Sequence, residues 1–202
     1  MMTDKKVLLF GIRDAVRAKT KEIEKFKAGN GAIRILIHPC NEEADFWLGG
    51  MSSFSKTESD IVDYEFVYHI APGGSHLITG TWNEVEQKVS CYGYSALKIA
   101  HCALSAKEGK GQLSGNKLDT PYLTEDNGFG PERGALCVTV FTCHESLPRP
   151  RTVDFCRIYV CVSGADSIDD LRCAVPAIDV IKKFFSHESS RFGYLVPKLP
   201  EL

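Results

Sequence analysis

The sequence predicts an α+β fold: a largely antiparallel sheet with about three helices packed on it. Three observations carry that expectation. Residues 61–70 and 75–82 are β-branched and aromatic runs flanking Ala71-Pro72-Gly73-Gly74, the composition of a hairpin and its turn. Helical periods fall at 13–28, at 83–107 and from 167 onward, and do not alternate one for one with strands. No G-x-G-x-x-G or P-loop sequence occurs, which disfavours the nucleotide folds built on parallel βαβ units.

Taken in order, Lys6 to Phe10 reads as a short edge strand. A helix over 13–28 follows, with Ile12, Val16, Ile23 and Phe26 on one face and lysines crowding its C-terminal half, where they complement the helix dipole. Ala32 to His38 is an apolar run stopped by Pro39, the pattern of a buried strand. Residues 40–60 are polar and irregular, and read as a packed loop that tucks in Phe46, Trp47, Leu48 and Phe54. In the hairpin, Pro72 then Gly73 suit a type II turn, and opposing Ala71 to Gly74 sets His69 directly across from His76. Tyr64, Phe66, Tyr68 and Ile70 then form the core-facing side, with Asp63, Glu65, Val67 and His69 on the other.

Asn83 with Glu86 three residues on is a capping box that opens a long helix rich in small residues, the central helix of the fold. A glycine-rich loop at 108–133 comes next, longer than compact domains ordinarily carry without a function as a lid or binding loop. Strands over 135–144 and 153–163 are joined by a basic, proline-stiffened connection at 146–152. The last helix starts at Ser167 with an acidic Asp170 three on. Its stripe is Ile168, Leu171, Val175, Ile178, Ile181 and Phe185, and Pro176 predicts a kink. The tail at 189–202 reads as irregular, and the whole of 1–202 as a single domain.

Composition narrows the function classes. With 24 Lys+Arg against 26 Asp+Glu, nothing predicts nonspecific attraction to nucleic acid or to an anionic membrane. No apolar run has the length of a signal-peptide core or a membrane span, so the expected location is cytoplasmic, with reduced thiols. The eight cysteines form no C-x-x-C pair. Cys91, Cys102, Cys137, Cys161 and Cys173 sit in apolar runs, where a thiol acts as a small hydrophobe, which leaves Cys40 and Cys143 as the chemically interesting ones.

The run Val160-Cys161-Val162-Ser163-Gly164-Ala165, followed by Asp169, Asp170, Ala174 and Ala177, resembles the C-terminal signature of the GlcG/HbpS-type proteins. There a strand ending in V-S-G-[AG] leads into an Ala-rich helix with an early acidic residue. The order of elements from residue 13 onward is similar too. The resemblance implies a profilin-like fold and binding of haem or a corrinoid. The first helix has no histidine that could be carried over as a haem ligand, so no ligand residue is transferred.

Four groupings are candidate sites. His69 and His76, opposed across the hairpin, are close enough to share a metal, with Glu65 or Asp63 as an oxygen ligand. His38 and Cys40 at a strand end are the alternative metal pair. Arg133, Arg149 and Arg151, with Lys110 or Lys117, could form a mouth for carboxylate or phosphate. Ser163 and Gly164 add backbone N–H donors at a helix N-terminus, an anion seat. Cys143 and His144 are strand neighbours that face opposite ways, so they do not pair as thiolate and base.

The expected function is binding of a small molecule or cofactor, most concretely a tetrapyrrole such as haem or an anionic metabolite. A metal- or thiol-dependent hydrolase or transferase is one alternative, with a divalent metal as its cofactor. A non-catalytic homodimeric interaction module is the other.

Overall fold

The computed structural model describes residues 5–27, 31–48, 64–71, 74–77, 95–100, 102–103, 134–144, 151–188, 191–196 and 199. In chain order the elements are α1 (Lys5–Thr20), α2 (Glu24–Lys27), β1 (Gly31–Pro39), α3 (Glu42–Leu48), β2 (Tyr64–Ala71) and β3 (Gly74–Leu77). The helical residues 95–100 and 102–103, here α4, come next. They are followed by β4 (Ala135–His144), β5 (Arg151–Ser163), α5 (Ser167–Ala174), α6 (Ala177–Glu188) and β6 (Phe192–Leu195). The strands form one sheet in the order β3-β2-β1-β5-β4-β6, and every pairing is antiparallel. The fold is α+β, as the sequence predicts.

Register gives the sheet two unlike faces. Ile33, Ile35 and Ile37 of β1 fall in line with Val162, Val160 and Ile158 of β5, and these in turn with Leu136 and Val138 of β4. Phe66, Tyr68 and Ile70 extend this apolar side along β2, as expected for the hairpin. Against it pack α1 through Leu8, Leu9, Ile12 and Val16, α3 through Trp47 and Leu48, and α5 and α6 through Leu171, Ile181 and Phe185. At Gly11 the approach of α1 to α6 is so close that a Cβ would lie 2.9 Å from Val180. The other face carries Arg34, Leu36 and His38 of β1 beside Cys161, Tyr159 and Arg157 of β5, with Cys137 and Thr139 on β4.

Several elements differ from the sequence reading, each for a local reason. Lys6 to Phe10 is not an edge strand but the start of α1. Its buried positions Leu8, Leu9, Ile12 and Val16 follow the helical period, and a four-residue apolar run could not show that by itself. The helix ends at Thr20, whose hydroxyl donates to the Arg17 carbonyl at 2.9 Å, and α2 resumes after a turn.

Within 40–60, residues 42–48 are helical rather than irregular. Asn41 caps α3: its Oδ1 accepts the Ala44 N–H at 2.8 Å, and its Nδ2 donates to the Asp154 carbonyl at 2.9 Å. Trp47 and Leu48 are buried as expected, but Phe46 is 88% exposed, on the outer side of the short helix, and Phe54 lies outside the described residues. Because Asn41 ties the cap to β5 as well, Asn41→Ala is expected to cost about 1–2 kcal/mol in urea unfolding.

The hairpin register Ala71↔Gly74, Ile70↔Ser75 and His69↔His76 is the one expected. Strand β5 begins at Arg151, two residues before the expected start. A register shift between Val140 and Phe141 leaves Phe155 as the extra residue of a bulge, which turns it inward beside Cys156.

The kink expected at Pro176 is a full break between α5 and α6. Ile168, assigned to the buried stripe, is 47% exposed. In the tail, residues 192–195 are not irregular but form β6 along the edge of β4. The described residues therefore hold six helical segments where about three helices are expected. The first and last helices each divide, and α3 is added. No described helix is long and apolar enough to cross a membrane.

Candidate functional site

The polar face of the sheet is where charge is buried. Arg34 interrupts the apolar run of β1 and is 1% exposed. Alternation turns it away from the apolar core, between Val67 of β2 and Cys161 of β5. Its Nε donates to Ser95 Oγ at 2.8 Å. Ser95 lies on the inward stripe of α4, which continues at helical spacing through Lys98, Ile99 and Cys102, while Leu97 points outward. Ile99 and Cys102 pack on Ala135, Cys137, Tyr159 and Cys161, a second and smaller apolar cluster.

Lys98 reaches past the end of the sheet. Its ammonium lies 2.8 Å from Asp170 Oδ2 and 3.4 Å from the Val162 carbonyl, and both side chains of the ion pair are buried. Asp170 belongs to α5, on the apolar face, so the pair joins the two helical layers around a strand end. Gly134 makes the passage possible. Its φ is +139°, and a Cβ there would lie 2.8 Å from the Val162 carbonyl and 2.9 Å from both Lys98 Nζ and Asp170 Cβ.

The electrostatics follow from burial. Desolvation pushes the Asp170 carboxyl up to about 6, against the pull of Lys98 and of the Ala165 amide. Cys161 is pushed up to about 12 by burial, with Lys98 and Arg34 acting in the opposite sense. Burial raises the Tyr159 hydroxyl as well. Cys161 and Tyr159 are thus neutral at pH 7, and the cluster offers fixed cations and neutral donors rather than a nucleophile.

Only some of the residues singled out from sequence lie among the described residues. Ser163 is buried, and Gly164 turns the chain at φ +136°. The amides after them are already taken by the chain's own carboxylates: Asp170 Oδ1 accepts from Ala165 at 3.0 Å, and the cap residue Asp166, not Ser167, accepts from Asp169 at 2.9 Å. Arg151 pairs with His144 at the other end of β5, roughly 40 Å of extended strand from Ser163, so Arg151 shares no mouth with that junction. Arg133, Arg149, Lys110 and Lys117 lie outside the described residues, as does Asp63.

His69 is paired with His76, and Ala32 links that row to Ser163. His38 and Cys40 are half-buried, with Cys40 Sγ 3.8 Å from the His38 carbonyl. Among the described residues no group of three or more His, Cys, Asp or Glu is placed to hold a metal. No disulfide joins the described cysteines. Cys102, Cys137, Cys156, Cys161 and Cys173 are buried, Cys40 is half-buried and Cys143 is exposed. Cys91 lies outside the described residues.

Sequence reasoning passed over Arg34, Ser95 and Lys98. A signal existed: Arg34 is the one charge in Ala32–Ile37, and Lys98 falls on the helical face shared by Ile99 and Cys102. No family model, curated protein or solved structure matches the chain.

Proposed function

We propose that the protein binds a small anionic molecule on the polar face of its sheet, beside α4. The observation that carries this reading is two buried cations near the neutral Cys161, Arg34 held by Ser95 and Lys98 held by Asp170, on a face whose opposite side is given to the apolar core. Guanidinium and ammonium groups held in low dielectric bind carboxylate or phosphate strongly, and the cost of ordering them has already been met in folding. A tetrapyrrole with its propionates is one anion of this kind. The segment resembling tetrapyrrole-binding proteins, Val160–Ala165, borders this face. A cytoplasmic setting suits a chain whose described cysteines form no disulfide.

Thermal unfolding of the full chain with orthophosphate, citrate or haemin tests the proposal. A saturable rise in Tm with at least one of them is expected, since a ligand at about 100 times its Kd adds about 2.7 kcal/mol. The rise should vanish in Arg34→Met. A Tm unmoved by all three probes, or moved equally in Arg34→Met, would overturn it.

A further inference from the structure

We propose that α4 is a detachable cover, which undocks from the polar face as a unit while the remainder of the fold stays closed. The inference rests on what the helix buries. Among the described residues its inward stripe is Ser95, Lys98, Ile99 and Cys102, half of it polar. The ties made by the polar half are short: Ser95 to Arg34 and Lys98 to Asp170, both at 2.8 Å. Ties of this kind specify where the helix sits but add little net docking energy, because water compensates each group when the helix lifts. Among the described residues, its apolar half is Ile99 and Cys102, with the partly buried Ala103 beside them. On the opposite face α1 and α6 bury Leu8, Leu9, Ile12, Ile181 and Phe185 with no charged side chain among them. Local opening starts where little apolar burial resists it, and of the described helical segments α4 alone covers the polar face, through a stripe that is half polar.

Two sets of equally buried thiols report on this. Cys102, Cys137 and Cys161 lie in the cluster under α4, and Cys156 and Cys173 lie in the main core. The inference concerns access to the face that the proposed anion would occupy. Its readout needs no anion, so it can fail while that proposal stands, and the reverse.

The test is labelling of the folded full-length chain with N-ethylmaleimide in native buffer, followed at each cysteine by peptide mass spectrometry. The thiolate sulfur adds to the maleimide double bond, and the adjacent carbon takes a proton from water. Cys102, Cys137 and Cys161 are expected to react at least about tenfold faster than Cys156 and Cys173, because only the latter wait for global unfolding. Ile99→Ala should speed the first set and leave the ratio of Cys156 to Cys173 unchanged. A single common rate for all five thiols in the wild-type chain would overturn the inference whether or not the variant folds. So would an unchanged rate for the first set in a folded Ile99→Ala.

Discussion

Replacing Phe185 by alanine is expected to lower the unfolding free energy by about 3–5 kcal/mol, the range for a large aromatic removed from a packed core. Phe185 has no exposed surface. Its ring lies 5.4 Å from Trp47 of α3, 6.2 Å from Phe155 at the β5 bulge, 5.3 Å from Phe184 and 5.2 Å from Phe192 of β6. One side chain therefore holds α6 against α3, β5 and β6, and neighbours anchored on separate elements cannot close the cavity without moving backbone. Urea unfolding by circular dichroism measures the effect. A loss below about 1 kcal/mol would show that the cluster collapses around the gap.

The ion pair at the sheet's end is expected to respond asymmetrically. Asp170→Leu should cost about 3–4 kcal/mol, because it strands the Lys98 ammonium in a buried site and removes the acceptor of the Ala165 N–H. Lys98→Met should cost less. Asp170 keeps its bond to Ala165, and a carboxyl already raised to about 6 takes up a proton at pH 7 for about 1–2 kcal/mol.

The direction of the pH effect follows. Burial raises Asp170 above its unfolded value of 3.8, so the native state holds that proton more tightly. The stability this contributes is fully present below the unfolded value and is lost as pH rises through about 6. Without Lys98 the native value climbs further. The deficit of Lys98→Met relative to wild type should therefore widen as pH rises above about 6 and narrow on acidification. A deficit that widened with acid would show instead that Lys98 does not hold the Asp170 carboxyl down.

How legible these features were depends on whether the deciding partner is near in sequence. The alternation of Ile33, Ile35 and Ile37, and a turn at Pro72-Gly73, are local signals, and the sheet's centre and the His69–His76 register follow from them. Residues 192–195 form a strand because β4 offers an edge, which no periodicity within the tail reveals. The same holds for α3, whose Asn41 cap and acidic first turn were visible but whose length is too short to show a period. At the site, Arg34 and Lys98 are charges within apolar runs, but their partners Ser95 and Asp170 lie 61 and 72 residues away, so their burial was not legible. At the Ser163-Gly164 seat, the chain's own Asp170 and Asp166 take the Ala165 and Asp169 amides. Of the basic mouth, only Arg151 lies among the described residues, and a strand as long as β5 carries it far from the separate seat at Ser163.

The polar face of the sheet, with α4 over it, is the face proposed to bind the anion. Amide hydrogen exchange of the full chain, with and without whichever of orthophosphate, citrate or haemin raises Tm most, tests it directly. Protection is predicted to concentrate in α4 and in the stretches of β1 and β5 around Arg34 and Cys161. Protection confined to α1 and α6, or spread evenly over the chain, would contradict the assignment.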